Sequence, residues 1–179
     1  MSLSNKQRGV LKGVLVGIVS SLAIVLLSAS MNPFNYGETL GTLDRLSVAV
    51  VSSILPAVFL AFSIGRIARY RFFSPKDIDG GGLSDGTPQI KVLQALLQNT
   101  LEQALLAVLV YCSWAVVMPS AWLSAVPVAA IAFALGRILF FTGYSSGASS
   151  RAIGFTLSFY PSIAMLIGML VAILYRQIS

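Results

Sequence analysis

The 179-residue chain contains no histidine and a single cysteine, Cys112. Those absences exclude a histidine general base, a His/Cys zinc site and any intrachain disulfide. Charge is scarce as well, at 10% of residues, where soluble domains carry about 25%. With 56% hydrophobic residues, the composition is that of an integral membrane protein built from helices. The net charge of +6 could suggest nucleic acid. In an apolar chain, basic residues mark cytoplasmic loops instead, so no nucleic-acid partner is expected.

About 20 apolar residues cross a bilayer core of about 30 Å. Five segments are long enough, near Val10–Ser30, Leu46–Ile67, Val92–Val117, Trp122–Phe141 and Ile153–Leu174. The longest connection, Arg66–Lys91, carries Pro75 and Gly80-Gly81-Gly82, which break helix and permit flexibility. If the spans alternate, ten basic residues fall on one side, and Arg45 and Arg176 fall on the other. That asymmetry predicts a cytoplasmic N-terminus, a cytoplasmic Arg66–Lys91 loop and a C-terminus on the opposite side. The first segment, with its basic start and Ser28-Ala29-Ser30, has the outline of a signal peptide. Its apolar run of about 18 residues exceeds the usual 7–15, so an uncleaved first helix is expected.

Polar side chains inside the apolar segments are few. Asn99 and Glu102 stand three apart and share a helix face, with Gln98 and Gln103 beside it. At 1.5 Å per residue, Glu102 lies about 15 Å along the axis from Val92. A lone carboxylate at that depth is costly and calls for a partner. Arg137, near the inner end of the fourth segment, is the expected one. Such a pair either fixes helix packing or serves a ligand.

Arg151 follows Ser149-Ser150, which have the composition of an N-cap for the fifth segment. A cation in the first turn opposes the helix dipole. An anion bound there would gain from Arg151 and from the free N–H groups together, with Tyr144 as a phenolic donor. The plain alternative is an arginine at the lipid headgroups. Cys112 reads as core, Trp114 and Trp122 as interface anchors, and Phe140 and Phe141 as packing or lipid-contact residues rather than ligand-stacking ones.

Asn99-x-x-Glu102, then Gly136-Arg137-x-x-Phe140-x-x-Gly143-Tyr144, then Arg151, resembles the MAPEG superfamily, the membrane-associated proteins in eicosanoid and glutathione metabolism. The resemblance covers about Leu46–Leu174. It implies a MAPEG-like four-helix bundle over residues 46–179, preceded by an additional transmembrane helix and loop over residues 1–45. It also implies a homotrimer with glutathione as co-substrate between neighbouring subunits. Asn99, Glu102, Arg137 and Tyr144 match family positions that contact glutathione. Arg151 matches the arginine that stabilises its thiolate, and is the candidate catalytic residue. Two positions depart from the pattern: Phe140 stands where the best-known members have tyrosine, and Ala95 where the transferases have arginine.

Two functions follow from the resemblance. One is a glutathione transferase or peroxidase acting on a hydrophobic small molecule, either an electrophile or a lipid hydroperoxide. The other is a non-catalytic membrane protein that binds lipid or a protein partner. Arg151 and Gly143-Tyr144 favour the first, whereas Ala95, Phe140 and the extra helix favour the second.

Overall fold

In the computed structural model, which describes residues 3–178, the chain forms six α-helices and one short 3-10 turn. Helix α1 is Asn5–Met31, α2 Thr42–Ser52, α3 Ile54–Phe72, α4 Pro88–Val117, α5 Ala125–Gly143 and α6 Ala148–Ile178. The 3-10 turn, Ser120–Trp122, leads into α5. Together they make five apolar spans: an integral, multi-pass, all-α membrane protein.

Local sequence explains the boundaries. Ser4 and Gln7 form a reciprocal cap at the start of α1. Thr87 caps α4, and Pro88 occupies its first position, where a missing N–H costs nothing. The second span is interrupted at Ser53. Pro56 cannot donate to the Ser52 carbonyl, so the ladder breaks one turn earlier and α2 passes to α3.

Helices α1, α4 and α6 begin, and α3 and α5 finish, at the end of the bundle that collects ten of the twelve basic residues. We call it the basic end. At the opposite end, Arg45 donates to the Met118 carbonyl, and Ser124 donates to Asn32 over 2.6 Å. The core between them holds Tyr111, Leu123, Val126, Phe133 and Met165, all essentially without exposure. Trp114 belongs to this core rather than to the interface. It stacks on Trp122 and donates its indole N–H to the Trp122 carbonyl over 3.0 Å, while the Trp122 ring remains exposed. Cys112 is half-buried at the edge of the core.

Small residues set the close helix approaches. Gly9, Gly13 and Gly17 repeat at intervals of four along α1 and face α6. A Cβ at Gly13 would stand 2.7 Å from that of Ala152, and one at Gly17 would overlap Thr156. A bulky residue therefore has no room at Gly17. Gly17→Leu is expected to cost at least about 1–3 kcal/mol and to lower the thermal midpoint in detergent; an unchanged midpoint would mean that α1 is not seated on α6.

The Arg66–Lys91 connection is folded, despite its glycines. Asp77 is fully covered and accepts hydrogen bonds from Ser74 Oγ (2.7 Å), Thr87 N (2.9 Å) and Thr87 Oγ1 (2.8 Å). Burial pushes the Asp77 carboxyl up, but the bonds from Ser74 and Thr87 and the charge of Arg71 outweigh it, so the net shift is downward. A depressed carboxyl stabilises the fold above its unfolded pKa, near 3.9, and loses that contribution as pH falls through its folded value. The loop should hence stay protected from proteolysis at pH 5–7 and open only below about pH 4. Asp77→Asn should open it at neutral pH.

Candidate functional site

Two further glycines bring α5 and α6 together. A Cβ at Gly136 would lie 2.7 Å from Ser158 N, and one at Gly154 would collide with the backbone of Phe140. This approach places Ser158 against Arg137, which is fully buried. The Arg137 guanidinium donates from Nη1 to Asn99 Oδ1 (2.9 Å), and from Nη2 to Gln103 Oε1 (2.8 Å) and Ser158 Oγ (2.6 Å). The Ser158 hydroxyl lies within donating distance of Gln103 Oε1 (2.7 Å) and of the Gly154 carbonyl (2.9 Å). The guanidinium carbon also lies 4.5 Å from the Phe140 ring centroid and 5.7 Å from that of Phe133. A buried cation is thus held by amide and hydroxyl oxygens and by ring faces, with no carboxylate in the cluster. Arg137 Nε and Gln103 Nε2 are buried without a protein acceptor.

The expected Glu102–Arg137 pair does not form. Glu102 points away from the bundle, is exposed, and accepts from Gln98 Nε2 over 2.8 Å. The reason is rotational. Residues three apart on a helix differ by about 60° and residues four apart by about 40°, on opposite sides. Arg137 sits between Asn99 and Gln103, which leaves Glu102 on the outer face. Gln103 and Ser158 were therefore missed as partners. The signals for them were Gln103 four residues after Asn99, and Ser158 four residues after Gly154.

From Arg137 a file of two rings, closed by a second cation, leads to the basic end. The Phe140 ring meets the Tyr144 ring edge-on at 5.5 Å, and the Arg151 guanidinium covers Tyr144 at 4.4 Å. Positions 133, 137, 140 and 144 follow one stripe of α5 and its C-cap. Phe140 thus supports Arg137 on one side and Tyr144 on the other, beyond general packing. Arg151 is half-exposed at the start of α6. That helix begins at Ala148, after Gly147 with a φ of 100°, so Ser149 and Ser150 lie inside the first turn and do not cap it. Ser149 instead donates to the Lys6 carbonyl of α1 over 3.3 Å.

The family model described as MAPEG family matches residues 46–171. The chain belongs to the MAPEG family. The match starts within α2, ends within α6, and takes in Asn99, Glu102, Arg137, Tyr144 and Arg151. Helix α1 lies outside it. Comparison with curated proteins and with solved structures gave no significant match. Membership makes this an integral membrane protein of the superfamily active in eicosanoid and glutathione metabolism. The structure brings most of the candidate residues into one file. Asn99 and Arg137 form the buried end of the file, Tyr144 and Arg151 its accessible end, and Glu102 the adjoining outer face of α4.

Proposed function

We propose that this MAPEG protein binds glutathione or a related thiol and uses it to conjugate hydrophobic electrophiles or to reduce lipid hydroperoxides. The observation that carries this reading is the file Arg137–Phe140–Tyr144–Arg151. It ends in a cation that has no carboxylate partner among the described residues and stands half-exposed at the basic end of the bundle. A free thiol has a pKa near 8.5, and an adjacent cation lowers it. Arg151 would hold the sulfur as a thiolate, with the Tyr144 hydroxyl beside it. Asn99 and Arg137 form the floor. In conjugation, the thiolate attacks the electrophilic carbon, the new S–C bond replaces the bond to the leaving group, and that group takes a proton. In peroxide reduction, two thiols are oxidised to a disulfide while the hydroperoxide becomes an alcohol and water.

Assembly completes the site in this reading. Ala95, Gln98, Glu102, Leu105 and Leu109 are exposed at alternating spacings of three and four along α4, the pattern of a helix–helix seam. A carboxamide–carboxylate pair facing lipid is costly. In a homotrimer the Gln98–Glu102 pair would be covered by a neighbour, and Glu102 could accept the ammonium of a ligand bound between subunits. The charge asymmetry supports a cytoplasmic basic end. Calorimetric titration of the detergent-purified protein with glutathione is expected to show saturable binding, and Glu102→Leu should weaken it while leaving the protomer folded. Absence of binding by wild-type protein would rule the thiol reading out. The second reading, a non-catalytic lipid- or partner-binding protein, rests on Ala95 and Phe140, which remove one cationic and one hydroxyl contact from the family's ligand set.

A further inference from the structure

A groove of about 520 Å³ runs between α3 and α5 on the outside of the bundle, lined by Val58, Phe59, Phe62, Ile138 and Phe141. Arg66 closes its upper end. The Arg66 guanidinium carbon lies 5.7 Å from the Phe62 ring centroid and 5.9 Å from that of Phe141. Arg66 also borders a second hollow of about 770 Å³, which adds Arg69, Tyr70, Phe73 and Lys76. One residue therefore joins an apolar trough to a basic cup. No acidic residue lines either space among the described residues. From Val58 to Arg66 the helix rises about 12 Å, a path that runs from the basic end into the hydrocarbon.

The two halves differ in what they accept. The trough offers almost only carbon, so it suits an alkyl chain. The cup carries three cations and no counter-charge, so it suits an anion. Arginine presents a planar fork that matches phosphate, and the stacked pair of Phe62 and Phe141 rings, with centroids 6.1 Å apart, rests against the Arg66 fork before any ligand arrives. The molecule that carries an alkyl chain and a phosphate at this spacing, at the level of the membrane surface, is a lipid.

We propose that the trough and the cup form one site for an anionic phospholipid. One acyl chain lies along Phe59, Phe62 and Ile138, and the phosphate is taken by Arg66 with Arg69 and Lys76. The site is separate from the Arg137–Arg151 file. Phe141 faces the lipid groove while its neighbour Phe140 faces Arg137, so the end of α5 divides the two. This inference does not depend on thiol binding, and its test contains no thiol.

Native mass spectrometry of the full chain in mild detergent provides that test. The probes are phosphatidylglycerol and phosphatidylcholine with identical acyl chains, and inorganic phosphate. Each basic residue near a headgroup contributes about fivefold in affinity. Wild type is expected to retain phosphatidylglycerol at least tenfold better than phosphatidylcholine. Arg66→Ala with Arg69→Ala should bring the two lipids to near parity. Ile138→Trp, which fills the trough, should reduce retention of both lipids and leave their ratio unchanged. Should the double variant lose its helical circular dichroism, Arg66→Gln alone is read, with about a fivefold loss expected. Equal retention of the two lipids by wild type, or unchanged phosphatidylglycerol binding in Ile138→Trp, overturns the proposal. Displacement of the lipid by an equal concentration of inorganic phosphate overturns it too, because the cup would then be a free-phosphate site.

Discussion

Gln103→Leu is expected to destabilise the protein by about 1–3 kcal/mol or more, the cost of leaving a buried charged donor without one of its acceptors. Gln103 Oε1 accepts from both Arg137 and Ser158. Its loss leaves one guanidinium N–H without an acceptor in a site closed to water, whereas the Ser158 hydroxyl can turn to the Gly154 carbonyl at 2.9 Å; a buried orphan costs about 1–3 kcal/mol, more for a charged group. Glu102→Leu should cost the protomer under about 1 kcal/mol, because Glu102 bonds only to exposed Gln98. Unfolding of the two variants in mixed micelles, followed by circular dichroism, measures both values. A reversed order would mean that Arg137 takes the carboxylate after all. Equal losses would mean that α4 presents both faces to neighbours.

Five spans were legible in the chain because length and apolarity alone decide them. The family was legible because the types and spacing of Asn99, Glu102, Arg137, Tyr144 and Arg151 resemble its pattern, and the family model matches residues 46–171. Hydrogen-bond partners were not legible. Choosing Gln103 over Glu102 turns on a rotation of α4 that no local pattern encodes. It is fixed by which face of α4 packs inward, the one that also carries Leu96, Thr100, Ala107 and Tyr111. The first turn of α6 was misread for a similar reason. Serines at 149 and 150 fit a cap, but Gly147 in the left-handed region starts the helix earlier and frees Ser149 to meet α1. Residue type points Trp114 to the interface, yet its ring is buried against α6 beside Gly168. The seat of α1 was present in the sequence as Gly9, Gly13 and Gly17. A reading based on apolar length passes over that repeat.

Arg151→Ala is expected to remove at least one pKa unit of thiolate stabilisation, worth about 1.4 kcal/mol. At neutral pH that is roughly a tenfold fall in the thiolate fraction of a bound thiol with a pKa near 8.5, and a comparable fall in conjugation rate. The fold should persist, since Arg151 is half-exposed and its contact is the Tyr144 ring. Arg151→Lys should recover part of the effect, because a lysine charge at that position acts without the planar stacking of arginine on Tyr144. If Arg151 merely anchors α6, its loss would lower thermal stability and leave the thiol's pH profile where it was.

The most direct measurement is the ultraviolet difference absorbance of thiolate on adding glutathione to detergent-purified protein, titrated from pH 5 to pH 9 with wild type and with Arg151→Ala. The account predicts a saturable thiolate signal for wild type at neutral pH, with a midpoint below that of free glutathione. It also predicts that the midpoint moves back up by at least about one unit in Arg151→Ala. A wild-type protein that binds glutathione yet shows no thiolate below the free midpoint, or a depressed midpoint that survives Arg151→Ala, would contradict it.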